Sequence, residues 1–228
     1  MNKQRDSATA RVMIVEDHPM FRERLAHLIN QEPDMEVCGE ADNIRDGFEL
    51  ARTLKPDVAI VDVTLKGSCG LELIKDLAAA GIDLPILVLS MHDESLYAER
   101  VLRAGAKGYI TKHEASAQVM NAIRQVLAGE VFLATSAATR ILSNLSGRAS
   151  KRVAGVERLT DRELEVFELI GRGQTTREVS IRLSLGSATV ETYRARIKEK
   201  LGLQNATQLQ TEAARWLHGG GRALAATT

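Results

Sequence analysis

Five short apolar runs recur through the first 128 residues of the chain, and they constrain its fold more than any other feature. They lie near residues 12–16, 35–40, 57–62, 85–90 and 107–111. Runs such as VAIVDV and PILVLS are apolar almost throughout, which is typical of strands buried on both faces of a parallel sheet.

Amphipathic stretches alternate with these runs. They lie near residues 19–30, 44–54, 70–80, 94–104 and 116–128. Strands that alternate with helices of this length form βαβ units and a parallel sheet. We therefore predict a doubly wound α/β domain with a five-stranded parallel sheet over residues 10–130.

Polar side chains end four of the five runs. Glu16 and Asp17 end the first run, and Asp62 ends the third. Ser90 and Lys112 end the fourth and fifth. Because parallel strands bring their carboxyl ends to one edge of a sheet, we expect these side chains to converge. Three carboxylates at close quarters need a cation, and their oxygens suit Mg²⁺. A carboxylate beside Mg²⁺, with a lysine and a hydroxyl nearby, is equipped to accept a phosphoryl group.

The motifs at these strand ends resemble those of a known family. VED, DVTLKGSCG, VLSM and GAKGYITK follow one another in the order acids, aspartate, hydroxyl and lysine. On these motifs, residues 11–128 resemble the flavodoxin-like receiver domain of bacterial two-component response regulators. The resemblance supports the predicted fold and carries residue roles of its own.

The resemblance implies that Asp62 accepts a phosphoryl group from a histidine kinase. It implies that Ser90 and Lys112 bind the phosphoryl oxygens, and that Tyr109 repacks as a switch when the charge at the site changes. It also implies a set of Mg²⁺ ligands, namely the side chains of Glu16, Asp17 and Asp62 and the backbone carbonyl of Thr64.

A phosphatase with an aspartate nucleophile is the enzyme alternative for this half of the chain. Such enzymes typically carry an acid two residues after the nucleophile, where this chain has Thr64. We therefore expect no free-standing enzyme, only phosphorylation and dephosphorylation of Asp62 itself. His18 is a candidate metal ligand, although its position favours the start of the first helix. Lys66 stands where the family usually has proline, which affects the stiffness of the loop after the aspartate.

Charge is unevenly distributed along a chain that is neutral overall. Residues 1–130 carry 15 Lys and Arg against 21 Asp and Glu, a net charge of −6, and residues 131–228 carry 15 against 9, a net charge of +6. A basic C-terminal part favours a polyanionic partner, most commonly nucleic acid. Residues 131–156 end in Ser, Gly and basic residues, and we predict that they form a linker.

Cysteine usage and hydropathy indicate the compartment. Cys38 and Cys69 form no CxxC pair, which excludes a cysteine zinc site and gives no disulfide framework. No apolar run approaches the length that spans a bilayer, and the polar N-terminus lacks the apolar core of a signal peptide. We expect a cytoplasmic protein that carries no membrane segment.

Short helices follow the predicted linker. Thr160 with Glu163, and Thr175 with Glu178, have the spacing of capping boxes that begin two helices. Ser187 is a candidate cap for a third helix after the turn SLG, and a fourth is predicted from about residue 207 to 217. A helix, a turn with glycine and a basic helix form a helix-turn-helix pattern. We therefore predict a four-helix DNA-binding domain over residues 157–220.

The segments LTDRELEVFELI and GQTTREVSIRLSLGSATVETYRARIKEKLG resemble the LuxR-type helix-turn-helix of NarL/FixJ response regulators. The resemblance implies a homodimer that pairs through the last helix, with Leu209 and Trp216 as candidate contacts. It also implies a third helix that enters the major groove of double-stranded DNA. The candidate DNA contacts are Thr175, Thr176, Ser187, Thr189, Glu191, Thr192, Tyr193, Arg194, Ala195, Arg196, Lys198 and Lys200.

Both halves together predict a transcription regulator that is switched by phosphorylation of Asp62. The alternative is a regulator of the same build that works without phosphorylation, controlled by dimer level or by another protein. Both sets of motifs are intact, which favours the phosphorylation switch.

Overall fold

A computed structural model describes residues 9–65, 68–91, 94–133, 138 and 155–218. The chain divides into two compact units, with the boundary between Leu142 and Ser143. Most of the predicted linker, and Lys66 in the loop after Asp62, lie outside the described residues. No helix within those described ranges is long and apolar enough to cross a membrane.

The first unit contains a parallel sheet with the strand order β2-β1-β3-β6-β7-β8. Its strands are β1 (Ala10–Val15), β2 (Met35–Ala41), β3 (Val58–Asp62), β6 (Ile86–Ser90), β7 (Gly108–Thr111) and β8 (Phe132–Leu133). This order confirms the doubly wound fold, because the chain reverses its direction of strand addition at β1 and β3. The central strands β3 and β6 are buried at every position, as their apolar sequences predict.

Five helices cover the two faces of this sheet. They are α1 (Pro19–Asn30), α2 (Ile44–Leu54), α3 (Gly70–Ala79), α4 (Glu94–Arg103) and α5 (Lys112–Leu127). The α5 helix begins at Lys112 rather than near residue 116, because the Thr111 side chain caps it by accepting a hydrogen bond from the Glu114 amide. Lys112 is therefore held in the first turn of a helix.

The strand β8 is the main addition to the predicted sheet. Phe132 and Leu133 pair in parallel with Gly108 and Tyr109, and the Phe132 amide donates to the Lys107 carbonyl at 3.0 Å. Phe132 is 6% exposed and belongs to the same apolar core as Ile110 and Val126. The sheet thus has six strands, and the sixth lies within the segment predicted to be linker.

The loop after β3 forms a small antiparallel hairpin. Its strands are β4 (Thr64–Leu65) and β5 (Ser68–Cys69), and α3 starts at the next residue. A Cβ atom built on Gly70 would lie 2.0 Å from the backbone oxygen of Asp62. Because no real Cβ atom approaches backbone this closely, the chain beside Asp62 requires glycine at this position.

An ion-pair network joins α5 to the turn before β2. Arg124 donates two hydrogen bonds to Asp34, at 2.9 and 2.8 Å, and a third to Glu32 at 2.5 Å. These contacts hold the pKa of the Asp34 carboxyl below its usual value. The side chains are substantially exposed, so solvent screens the network and its contribution to stability is small.

The second unit is helical. After a 3₁₀ turn (Val156–Arg158) come α6 (Asp161–Gly171), α7 (Thr176–Arg182), α8 (Ser187–Leu201) and α9 (Ala206–His218). These four helices confirm the predicted class of the second domain. Its core includes Phe167, Val179, Val190, Ile197 and Leu209.

Two of the three predicted helix caps in this unit are confirmed and one is not. Both predicted capping boxes are present, Thr160 with Glu163 and Thr175 with Glu178. The prediction that Ser187 caps the third helix is wrong. Ser187 is the first helical residue, and the N-cap is Gly186, which offers no side chain. The tight SLG turn places the backbone of Gly186, rather than a hydroxyl, at the cap position.

Candidate functional site

The polar residues at the strand ends come together at one edge of the first unit. Glu16 and Asp17 follow β1, Asp62 is the last residue of β3, and Lys112 follows β7. The strands that carry the acids, β1 and β3, are neighbours inside the sheet. The three carboxylates are therefore held next to one another at the sheet edge. Glu16, Asp17 and Asp62 are 1%, 7% and 2% exposed.

Lys112 neutralises part of this buried negative charge. Its Nζ atom lies 2.8 Å from Asp62 Oδ2 and 2.6 Å from Glu16 Oε2. Burial opposes the charge on the ammonium, but the two carboxylates outweigh it and hold the pKa of Lys112 above its usual value. The lysine is therefore charged and bridges two strand ends.

Phe21 forms the apolar side of the lysine pocket. Lys112 Nζ lies 4.7 Å from the centroid of the Phe21 ring, a cation–π distance. Phe21 belongs to α1, so this contact ties the lysine to a third element. The apolar periodicity of α1 marks Phe21 as a packing residue only, and the contact with Lys112 depends on the fold.

The Asp62 carboxyl is poised between its two protonation states. Burial and the charge of Glu16 raise its pKa and Lys112 opposes both, so that the pKa lies at about 7. The Thr64 amide donates to Asp62 Oδ1 at 3.2 Å, which favours the ionised form. A second positive charge at the site would favour ionisation more strongly.

The donor set of this cluster fits a hard divalent cation. Glu16, Asp17, His18 and Asp62 each place one possible ligand atom within 4.8 Å of the others. Asp17 Oδ1 is buried and receives no well-aligned hydrogen bond in the described part of the chain, although His18 Nδ1 lies 2.8 Å away. Carboxylate oxygens of this kind are the ligands that Mg²⁺ prefers.

His18 has two features that the sequence left as alternatives. It is the N-cap residue of α1, at the start of the first helix as predicted, and Pro19 follows in the first helical turn. Its Nδ1 atom also lies 3.0 Å from Glu16 Oε1, and the ring is 67% exposed. The His18 ring thus faces solvent, while the acids beside it are buried.

The remaining receiver candidates are placed by the strands. Ser90 ends β6, is fully buried, and follows Leu89, which pairs with Asp62 in the sheet. Tyr109 lies in β7, three residues before Lys112, and is also fully buried. Thr64 is two residues after Asp62, at the start of the β4–β5 hairpin.

In the second unit, α8 presents an exposed polar face. Val190 and Ile197 are buried on its inner side. Tyr193, Arg194, Lys198 and Lys200 are partly buried at the margins. The exposed candidates are Ser187, Thr189, Glu191, Thr192, Ala195 and Arg196. The predicted recognition helix therefore divides into an outer face of six candidate contacts and four residues at its edges.

Two candidates on different helices meet at one carboxylate. The Thr176 hydroxyl, on α7, donates to Glu191 Oε1 at 2.7 Å. Arg194 Nε lies 3.6 Å from the same oxygen, and the Arg194 side chain is 16% exposed. Glu191 itself is 60% exposed, so the contact lies at the protein surface.

Other predicted DNA contacts have partners inside the unit. Lys200 Nζ donates to Glu163 Oε2 at 2.6 Å and so joins α8 to the first turn of α6. The Thr175 hydroxyl donates to Glu178 within its capping box at 2.8 Å. Both residues therefore hold helices in place.

The structure also corrects the suggested dimer contacts. Leu209 is fully buried within its own unit, so it is not a surface residue and that suggestion is wrong. Trp216 packs on Phe167, with ring centroids 5.6 Å apart, and remains only partly covered.

Comparison with known families assigns each unit. Residues 12–124 match the family described as "Response regulator receiver domain". Residues 157–213 match the family described as "Bacterial regulatory proteins, luxR family".

Similar proteins span nearly the whole chain. The virulence factors putative positive transcription regulator BvgA of Bordetella pertussis is 34% identical over 199 residues, covering 87% of this chain and 92% of its own. The transcriptional regulatory protein LiaR of Bacillus subtilis is 35% identical over 207 residues, covering 90% and 97%. A solved structure of RcsB from Salmonella enterica serovar Typhimurium, bound to the promoter P1flhDC in the presence of the phosphomimetic BeF₃⁻, shares the fold. It has a TM-score of 0.60, 24% identity, and coverage of 91% of this chain and 99% of that one.

The fold and the acid cluster define the first unit as a receiver, and the helix-turn-helix defines the second as a DNA-binding module. The chain belongs to the NarL/FixJ family of two-component response regulators, which join a receiver to a LuxR-type DNA-binding domain. It is a transcription regulator, as the sequence motifs predicted.

Proposed function

We propose that Asp62 accepts a phosphoryl group from a histidine kinase and that this modification controls DNA binding by the second unit. One observation carries the proposal: Asp62 and Glu16 share Lys112 in a buried cluster at the sheet edge. A purely structural acid at a strand end has no need of a buried lysine bridge to a second acid.

The transfer itself is a displacement at phosphorus. A carboxylate oxygen of Asp62 bonds to phosphorus while the bond from phosphorus to the kinase histidine nitrogen breaks and the nitrogen keeps the electron pair. The product is an acyl phosphate that carries a charge of about −1.5 to −2. Lys112 is held within hydrogen-bond distance of Asp62 and can donate to a phosphoryl oxygen with little movement. Ser90 is the hydroxyl proposed for another phosphoryl oxygen.

Mg²⁺ is the cofactor that the donor set fits. Glu16, Asp17 and Asp62 would hold it, together with the backbone carbonyl of Thr64. When bound, it would neutralise charge on the transferred group. The chain's own contribution is to fix these oxygens on two adjacent strands and to keep Lys112 among them.

The proposed output is binding of double-stranded DNA by a homodimer in the cytoplasm. The outer face of α8 would enter the major groove, since N-terminal residues of a recognition helix contact base edges. RcsB, which shares the fold, is described as bound to promoter DNA in the presence of a phosphomimetic. Repacking of Tyr109 in β7 is the proposed link between the charge at Asp62 and the rest of the receiver.

Phosphoryl incorporation from acetyl phosphate tests the first half of this proposal. With Mg²⁺, the wild-type chain should be labelled on one residue, and Asp62→Asn should not be labelled. Asp83→Asn is the matched control, because Asp83 is an exposed aspartate in the loop before β6. Equal labelling of wild type and Asp62→Asn would contradict Asp62 as the acceptor, and a wild-type chain that takes up no label would leave the phosphorylation-independent regulator as the function.

A further inference from the structure

Glu191 has an unexpected environment for an acidic residue on a helix proposed to bind DNA. Its carboxylate lies on the outer face of α8, close to the N-terminal end where base contacts are expected. Facing a DNA phosphate, this charge would be repelled. Glu191 Oε1 accepts a hydrogen bond from the Thr176 hydroxyl at 2.7 Å and lies 3.6 Å from Arg194 Nε.

The two partners of Glu191, Thr176 and Arg194, are residue types that commonly bind DNA phosphates. Threonine hydroxyls and arginine side chains are among the groups that make sequence-independent contacts with DNA backbones. Here they come from different helices, α7 and α8, and converge on one internal anion. The Thr176 hydroxyl can donate only one hydrogen bond, and Glu191 takes it.

We propose that Glu191 restrains sequence-independent DNA binding by occupying the Thr176 donor and neutralising Arg194, a role that rests on the proposed binding of α8 to DNA. A DNA phosphate must displace the carboxylate before it gains these two contacts. Non-specific binding, which depends almost wholly on phosphate contacts, is weakened as a result. Specific binding is weakened less, because base contacts hold the helix in a position that does not depend on the Thr176 and Arg194 phosphate contacts.

The proposal is tested by two affinities of the full chain. One is for a duplex of random sequence, and the other is for a duplex that the wild-type chain selects from a random pool. Glu191→Gln should bind the random duplex about tenfold more tightly at low salt, with a salt slope steeper by about one unit. The preference for the selected duplex should fall accordingly.

Glu199→Gln provides a matched control. Glu199 lies two turns later on the same helix and is exposed, and it loses the same charge. The affinity of this variant for random DNA should change by less than about twofold, because Glu199 is not a candidate DNA contact and the Thr176 and Arg194 groups lie against Glu191. Equal gains in both variants would overturn the proposal, since overall charge alone would then explain them.

Thr176→Val tests the hydroxyl directly. In this background the effect of Glu191→Gln on random DNA should shrink by about half, because one of the two released donors is absent. An undiminished effect would overturn the role of Thr176. A weaker Glu191→Gln affinity for the selected duplex, with unchanged affinity for random DNA, would show that Glu191 contacts a base and would also overturn the proposal.

These outcomes are separate from the test of DNA binding itself. If the wild-type chain shows no preference for any duplex, the proposed function of α8 fails. If the preference is present and Glu191→Gln leaves random binding unchanged, only the role of Glu191 fails.

Discussion

Each unit contains an ion pair at its candidate site, and the two pairs differ in how far they are buried. Lys112 and Asp62 are 6% and 2% exposed and lie 2.8 Å apart. Arg194 and Glu191 are 16% and 60% exposed and lie 3.6 Å apart. Water screens the second pair and hardly reaches the first. Removing one partner should therefore change the free energy of unfolding much more in the first pair than in the second. A charge added at the receiver site is therefore expected to have a large effect. The exposed pair on the DNA-binding surface can separate at low cost when another charged group binds.

Removing the cation from each pair should give the largest contrast. Lys112→Met leaves Glu16 and Asp62 buried without their bridge, and we expect a loss of about 3–5 kcal/mol without divalent cations. Arg194→Met should cost less than about 1 kcal/mol. Denaturant titration by circular dichroism measures both, and fluorescence of Trp216, the one tryptophan in the sequence, reports on the second unit. Comparable losses in the two variants would contradict the comparison.

Added Mg²⁺ sharpens the same experiment. A divalent cation bound among the acids takes over part of the role of Lys112, so it should recover much of the lost stability in Lys112→Met. It should have no such effect on Arg194→Met. A Lys112→Met variant that gains nothing from Mg²⁺ would argue against a cation site at the acid cluster.

Opposite responses to pH should also separate the units. The pKa of Asp62 is raised from its ordinary 3.8 to about 7, so between these values the folded receiver holds a proton that the unfolded chain releases. Without divalent cations, receiver stability should therefore fall as pH rises from about 5 to 7, by an amount on the order of a few kcal/mol. Asp62→Asn should remove this fall and be more stable at neutral pH, while Asp83→Asn should keep the wild-type profile.

Glu163 has the reverse behaviour in the second unit. Burial opposes its ionisation, but hydrogen bonds from Lys200 and Thr160 outweigh burial and hold the pKa of Glu163 below its usual value. Its stabilising effect is therefore present at neutral pH and lost as pH falls through the acidic range. Trp216 fluorescence across a pH series should show this loss, and Lys200→Met should reduce it. A second unit that gains stability on acidification would contradict this sign.

Two glycines offer a smaller, steric version of the comparison. Gly70→Ala would press a methyl group against the Asp62 carbonyl, and we expect a loss of about 2–3 kcal/mol and slower phosphorylation. Gly186→Ala places its Cβ no closer than 3.7 Å to Thr189 Oγ1, at a φ of −68° that alanine readily adopts. Since alanine is a poorer N-cap than glycine, this substitution should cost no more than about 1 kcal/mol. Equal losses would mean that the backbone beside Asp62 is not specially constrained.

The helix caps set the smallest effect. Thr160→Ala removes one half of a capping box on α6 and should cost about 1 kcal/mol, seen as a shift in the Trp216 transition. Thr160→Ser keeps the hydroxyl and should be close to wild type. A larger loss in the serine variant than in the alanine variant would exclude capping as the role of this residue.

Sequence patterns predicted the features that depend on strand direction and helix period. Glu16, Asp17, Asp62 and Lys112 meet because parallel strands end at one edge, and that rule needs no side-chain detail. Both capping boxes follow from a spacing of three residues within one helix. The cap spacing is a local rule, and the convergence of the strand ends requires only that the strands are parallel.

Features that depend on packing between distant segments were not predicted. The contact of Phe21 with Lys112, and the approach of Gly70 to Asp62, join residues whose proximity no local pattern encodes. The strand β8 has two residues, too short for any period, and it forms because β7 offers a free edge. The sequence predicted that Glu191 lies on a helix, but its contact with Thr176 depends on how α7 packs beside α8.

One measurement tests the central claim most directly: the affinity of the chain for its selected DNA duplex before and after treatment with acetyl phosphate and Mg²⁺. Wild type should bind about tenfold more tightly after treatment, a coupling of ordinary size for a two-state switch, while Asp62→Asn should show no change. An equal gain in Asp62→Asn, or an unchanged affinity in a fully phosphorylated wild type, would contradict the claim that the charge at Asp62 controls DNA binding.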